Sequence, residues 1–171
     1  LGDYGNQKHL QATAFIDPSI TTDGENLYMI ADIFPGGYGL NTAPNGPRTG
    51  NEFDENGNLL LSGDKRGTFT YHLEKNTGED ADEKSYYVIK DNTSGDIVEG
   101  YTIDAYFNIK DGTGETNLFC DNSPYLVYPT DYLYLTTSKD GGATWSIPSL
   151  LNLKKPTEQT LLVGPGRGIV T

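Results

Sequence analysis

The sequence predicts an all-β protein, and three properties of its 171 residues lead there. Twenty-one glycines and nine prolines punctuate the chain at short intervals, which leaves no room for long amphipathic helices. The nine apolar residue types supply only 35% of the chain, gathered in short runs bounded by turn residues. Twelve tyrosines lift the aromatic content to 11%, which suits strand packing and argues against disorder despite a net charge of -12.

Several function classes fall away on the same grounds. The acidic excess disfavours binding to nucleic acid, because few cations are present to replace the counterions a phosphate backbone releases. No apolar run approaches the roughly 20 residues of a helical bilayer span, and the first residues lack a basic start and apolar stretch. Cys120 is the only cysteine, and His9 and His72 stand far apart, so neither a disulfide, a metal centre nor a cofactor is expected.

The elements follow in order. Ala14-Phe15-Ile16 reads as a strand that ends at Asp17-Pro18, since proline removes a ladder donor. Asp23-Gly24-Glu25-Asn26 is a turn into the buried strand Leu27-Tyr28-Met29-Ile30-Ala31-Asp32-Ile33-Phe34, closed by Pro35-Gly36-Gly37, and the pair form a hairpin. Residues 41–62, with Asn45-Gly46-Pro47, Thr49-Gly50-Asn51 and Glu55-Asn56-Gly57-Asn58, read as a loop excursion. Strand patterns return at 68–73 and 85–90, with the acidic stretch 78–83 between them as a solvated hairpin tip. A calcium loop there lacks the glycine-centred spacing such a cage needs. Further strands are expected at 96–101, 103–109, 125–128 and 132–137. Tyr86, Tyr87, Tyr101, Tyr106, Tyr132 and Tyr134 fall in these patterns, where packing is favoured over an exposed sugar-stacking row. Residues 160–163 read as a strand leading to a glycine turn and a short final strand. That turn lacks the Lys-Ser/Thr and the helix of a phosphate loop.

The sharpest feature is Ser138-Lys139-Asp140-Gly141-Gly142-Ala143-Thr144-Trp145. It is a tight hairpin in which Ser and Asp bond the turn's own backbone, Gly142 takes a conformation other residues avoid, and Trp145 folds back. On chemistry alone Asp140 is a turn stabiliser.

The same residues match the sialidase Asp box, Ser-x-Asp-x-Gly-x-Thr-Trp, through Ser138, Asp140, Gly142, Thr144 and Trp145. Two further segments strengthen the resemblance. Ile16-Asp17 followed by Phe34-Pro35 and a nearby glycine resembles a strand pair of large secreted bacterial sialidases. Gly164-Pro165-Gly166-Arg167-Gly168-Ile169 resembles a stretch that follows the box in the same enzymes. The resemblance implies part of a six-bladed β-propeller, one Asp-box blade interrupted by a β-rich insertion. Residues 1–40 would be the first propeller strands, 41–124 the insertion, and 125–171 the box hairpin and the start of the next strands.

In that family three arginines clamp the sugar carboxylate, a tyrosine activated by a glutamate is the nucleophile, and an aspartate is the acid/base. Arg48, Arg66 and Arg167 are the only arginines here, and none sits in the Arg-Ile-Pro setting of the family's first arginine. No catalytic residue is therefore expected in this segment, and the chain alone is expected to be inactive. What carries over is a substrate-binding set. Asp17 would reach a sugar hydroxyl, Ile16 and Phe34 would line the N-acetyl pocket, and Asp32 and Leu40 would stand nearby. Read from the residues alone, Ile16 and Phe34 fit equally well as core strand positions, and Asp17-Pro18 as a turn. The resemblance further implies a secreted or cell-surface protein acting on sialylated glycans, and packing against the rest of a propeller or self-association to cover the open sheet edges. The alternatives are a non-catalytic glycan- or protein-binding β module and an unrelated propeller fragment.

Overall fold

The computed structural model describes residues 14–37, 52–63, 69–155, 157–158 and 160–168. Two sheets carry all the regular structure of these residues, apart from a single 3-10 turn at Pro35–Gly37. The first sheet begins with β1 (Ala14–Thr22) and β2 (Leu27–Phe34), an antiparallel hairpin. Its turn is held by Asp23, whose Oδ1 accepts the N–H groups of Glu25 at 2.9 Å and Asn26 at 2.7 Å. Gly24 supplies the positive φ the turn requires, at 101°.

The chain then leaves to build a second sheet. Its strands are β3 (Leu59–Ser62), β4 (Tyr71–Lys75), β5 (Tyr87–Asp91), β6 (Thr102–Ile103), β7 (Asn108–Lys110), β8 (Glu115–Asn117) and β9 (Leu126–Val127). The spatial order is β8-β7-β6-β5-β4-β3-β9. Only afterwards does β10 (Tyr132–Ser138) return to pair with β2, followed by β11 (Ser149–Leu151) on its far side. The last strand, β12 (Gly166–Arg167), runs parallel to β1, so the first sheet reads β11-β10-β2-β1-β12. The fold is thus an all-β blade interrupted by a β-rich excursion between its second and third strands.

Alternation along the strands divides the blade into two faces. Phe15, Ile33 and Tyr132 form one rung, and Ile16, Asp32, Leu133 and Leu151 form the next, facing the other way. Ile33 and Tyr132 enter a core shared with Leu59, Leu61, Leu73, Ile89, Ile103 and Ile109 of the second sheet. Aromatic rings carry this core across the two sheets. Tyr87 stacks on Phe107 at 5.2 Å, Phe107 meets Phe119 edge-on at 5.5 Å, and Phe119 meets Tyr132 edge-on at 5.2 Å. The Tyr132 hydroxyl donates to the carbonyl of Tyr128 at 2.8 Å, which satisfies it without solvent, and burial pushes its pKa well above the ordinary value. Burial likewise raises Tyr87, to about 12. Tyr106, by contrast, is exposed.

The structure departs from the sequence reading at several elements. β1 does not end at Asp17-Pro18. Its register passes from Ile16 opposite Asp32 to Ser19 opposite Ile30, so one extra residue bulges out and the strand continues. The bulge absorbs the proline's missing donor, and Asp17 takes φ 52°. Leu59–Ser62, expected as loop, is a strand, because Leu59 and Leu61 alternate into the core. The expected strand 96–101 is reduced to one bridge between Lys90 and Ile97. The expected strand 103–109 is two strands, β6 and β7, folded about a turn at Asp104. β8 and β11 were not foreseen. Residues 160–163 are not a strand but an extended segment bonded to side chains. The expected boundary at 124/125 falls just before β9, which pairs with β3.

The turns at Asp54 and Asp104 are built alike. In each, Oδ1 accepts the N–H groups two and four residues on, and Oδ2 accepts the side-chain amide of the fourth residue, Asn58 or Asn108. The third residue on has positive φ in both: Gly57 at 83° and Phe107 at 66°.

Candidate functional site

The blade face turned away from the shared core holds most of the sequence-predicted site residues. Ile16 and Asp32 are cross-strand partners, and Phe34 lies two rungs on, on the same face, opposite Ala14. Ile16 is 41% exposed, whereas Phe34 is 7% and Asp32 0% exposed. Asp17 stands on the bulge beside them, half-buried, and its charge raises the pKa of Asp32. Leu40 lies outside the described residues.

Residues 160–168 form a strap across this face. The N–H of Leu161 donates to Asp131 Oδ2 at 3.1 Å, and the N–H of Val163 donates to Asp32 Oδ1 at 3.1 Å. Gly166 and Arg167 then pair with Ser19 and Ile20, two and three residues past Asp17, and Gly168 donates to the carbonyl of Ile20 at 3.0 Å. The approach at Gly168 is close, since a Cβ there would stand 2.8 Å from the Cβ of Thr21. Two buried carboxylates therefore take the place of a ladder at one end of the strap, and β1 supplies a ladder at the other.

Burial pushes the pKa of Asp32 up, the Val163 N–H offsets part of this, and the charges of Asp131 and Asp17 push it further up. Its Oδ2 is buried without a hydrogen-bond partner among the described residues.

Asp131 is held in turn by Lys154. The ammonium lies 2.9 Å from Glu52 Oε1, 2.8 Å from Thr130 Oγ1, 2.7 Å from the Asp131 carbonyl and 3.5 Å from Asp131 Oδ1. It also sits 5.8 Å from the centre of the Tyr132 ring. Its side chain is 6% exposed. Sequence reading missed Glu52, Asp131 and Lys154. Their spacing carries no pattern, and only a buried lysine's need for acceptors betrays them once the fold is known.

The 138–145 hairpin is set apart, in the connection between β10 and β11. Ser138 Oγ donates to Asp140 Oδ1 at 2.8 Å and accepts the N–H of Gly142 at 2.8 Å. Asp140 Oδ1 accepts the N–H of Thr144 at 2.8 Å, and Oδ2 accepts its hydroxyl. The Thr144 hydroxyl, its backbone N–H and the Ser138 hydroxyl hold Asp140 down at about 2. Gly142 has φ 95°, and a Cβ there would touch Leu27 at 3.5 Å and Trp145 at 3.9 Å. Ser138, Asp140, Gly142 and Thr144 bond one another, which is the behaviour of a structural clasp, while Trp145 stands 37% exposed beside Gly142.

No family model matches the chain. It is 25% identical to the anhydrosialidase of Macrobdella decora over 96% of its own length, and 28% identical to sialidase B of Streptococcus pneumoniae serotype 4 over 82%. It spans 24% and 22% of those relatives. Among solved structures, the intramolecular trans-sialidase of Ruminococcus gnavus superposes with a TM-score of 0.72 at 24% identity, covering 96% of this chain and 37% of that one. The leech intramolecular trans-sialidase, complexed with 2,7-anhydro-Neu5Ac, gives 0.72 at 23% identity, over 96% of this chain and 27% of that one. The NanB sialidase of Streptococcus pneumoniae gives 0.69 at 22%, over 96% and 28%. A blade split by a β-rich excursion, with sequence and fold similarity that fall together on sialidases, makes this chain a sialidase-like segment.

Proposed function

We propose that this segment forms part of the sugar pocket of a secreted or cell-surface exo-sialidase that releases terminal sialic acid from glycoconjugates. The nucleophile and the arginine clamp lie outside it. The observation that carries the reading is the bulge in β1. It sets Asp17 in the chain between Ile16, whose apolar side chain is exposed, and Ser19, which pairs with the strap. An ionised acceptor next to an apolar wall suits a sugar that presents hydroxyls and an N-acetyl methyl together. Asp32 and Phe34, being buried, support that wall from beneath. The 138–145 hairpin is the Asp box of the blade and takes no part in the chemistry.

Asp17 allows a clean test because its backbone is left-handed, a conformation that glycine and asparagine also accept. Asp17→Gly and Asp17→Asn, made in the parent protein that contains these residues, remove the carboxylate without straining the bulge. A hydrogen bond to a charged group is worth about 1.5–3 kcal/mol. Both variants are therefore expected to lose about 10- to 150-fold in kcat/KM on a fluorogenic sialoside. The isolated chain should show no turnover. Product analysis should separate free sialic acid from its 2,7-anhydro form, since relatives of both descriptions are similar to this chain. Full activity in Asp17→Gly would remove Asp17 from the pocket. Glycan binding without turnover by the parent protein would favour a binding module instead.

A further inference from the structure

The strap is bonded to the blade, and one of its anchors, Asp131, is tied through Lys154 to the second sheet. Asp131 presents Oδ2 to Leu161 only while its other oxygen and its carbonyl face Lys154. Lys154 in turn reaches Glu52, whose carbonyl accepts the N–H of Leu60 in β3. A continuous path thus runs from the second sheet through Glu52, Lys154 and Asp131 to Leu161. The strap carries it on to Val163 on Asp32, and then to Gly166 and Gly168 against β1 beside the Asp17 bulge. Every ionised group on that path is buried, so solvent screening is weak and a lost partner is strongly felt.

We propose that Lys154 is a positioning residue for the sugar pocket, through which the inserted sheet fixes the strap that walls the Asp17 face. The pocket role of that face rests on the function proposed above, whereas the mechanical link does not. Glu52 keeps one carboxylate oxygen buried without a partner among the described residues, which is what a group placed to hold Lys154 looks like when its own hydrogen bonding is not the end served. Among the described residues neither Glu52 nor Lys154 bonds to Ile16, Asp17 or Asp32, and their path to the strap runs through Asp131 and Leu161.

The test uses Glu52→Gln, which removes the negative charge facing Lys154 and keeps the side-chain shape, and Lys154→Met, which removes the hub. Amide hydrogen exchange of the chain is read at Leu161 and Val163, and at Leu61 and Ile89 in the core. The expected result is exchange at least tenfold faster at Leu161 and Val163 in Glu52→Gln, with Leu61 and Ile89 unchanged. Lys154→Met should enlarge the effect. In the parent protein the same variants should raise KM for a sialoside with kcat largely retained, because a displaced wall loses binding rather than chemistry. Unchanged exchange at Leu161 and Val163, or an equal increase at all four amides, would overturn the proposal. If Lys154→Met fails to fold, Glu52→Gln still decides. A parent protein with no sialoside turnover would count against the function proposed above, while the exchange result would still judge the link.

Discussion

Replacing Phe107 by glycine is expected to harm the protein less than replacing it by alanine, the reverse of the usual order. Phe107 occupies the left-handed position of the Asp104 turn at φ 66°, where the matching Asp54 turn has Gly57 at 83°. A residue with a Cβ costs about 1–2 kcal/mol in that conformation. The phenylalanine is kept there because its ring is 4% exposed and wedged between Tyr87 and Phe119. Removing a buried phenylalanine ring costs about 3–5 kcal/mol. Phe107→Ala loses the ring and keeps the backbone strain, whereas Phe107→Gly loses the ring and sheds the strain. At an ordinary position glycine is worse than alanine by about 0.5–1 kcal/mol. Here Phe107→Gly should be the more stable by about 1 kcal/mol, with both variants well below the parent. The converse change, Gly57→Ala, should cost about 1–2 kcal/mol although its Cβ would meet nothing within 4 Å.

Urea unfolding of the three variants, followed by circular dichroism, gives the ordering directly. If Phe107→Ala proves as stable as Phe107→Gly, or more so, the strain argument fails and the twin turns are alike only in outline. The consequence reaches the candidate site. Phe107 packs on Phe119, Phe119 on Tyr132, and Tyr132 adjoins Asp131 and lies under Lys154.

Two further predictions concern acid. Asp140 is lowered from 3.8 to about 2, so its contribution to the hairpin is complete above 3.8 and is lost as pH falls toward 2. Trp145 is the only tryptophan, so its fluorescence should change across that interval in the parent and stay flat in Asp140→Asn; a parent with no change there would contradict the assignment. Asp32 is shifted the other way, chiefly by burial, so its carboxylate favours the folded state less as pH rises above 3.8. Asp32→Asn should therefore gain stability relative to the parent between pH 4 and pH 8 in paired urea titrations, and a constant difference would show that Asp32 does not titrate abnormally.

What could be read in advance divides by how local the interactions are. The backbone bonding of the 138–145 hairpin through Ser138 and Asp140 was legible because each of its bonds spans four positions or fewer. The β1–β2 hairpin was legible for the same reason, through Asp23. The strap was not, because its bonds reach back 30 residues to Asp131 and 131 residues to Asp32, and an N–H leaves no mark in the sequence when its acceptor is a distant carboxylate. β3 was obscured by the Asn-Gly turn before it, which looked like continuing loop although Leu59 and Leu61 already alternate. The Asp17 bulge was misread because proline was taken to end a strand, while a bulge supplies the unpaired position where a missing donor costs nothing.

The acidic excess changes meaning under the same light. Asp23, Asp82, Asp91 and Asp111 each accept the N–H groups two and three residues on, and Asp54 and Asp104 serve those two and four on. Asp131 and Asp32 do the same for the strap. In a fold of strands this short, ladders leave many backbone donors unserved, and carboxylates satisfy them. Hydrogen bonds hold Asp23, Asp111 and Asp140 below the ordinary carboxylate range, whereas Asp32 is pushed above it. As pH falls, Asp32 therefore takes up its proton before Asp23, Asp111 and Asp140, while those turns are still ionised and intact. Among the described residues the second oxygen of Asp32 has no partner to lose, and a protonated carboxyl still offers a carbonyl oxygen to Val163. Mild acid should thus leave the strap docked at Val163.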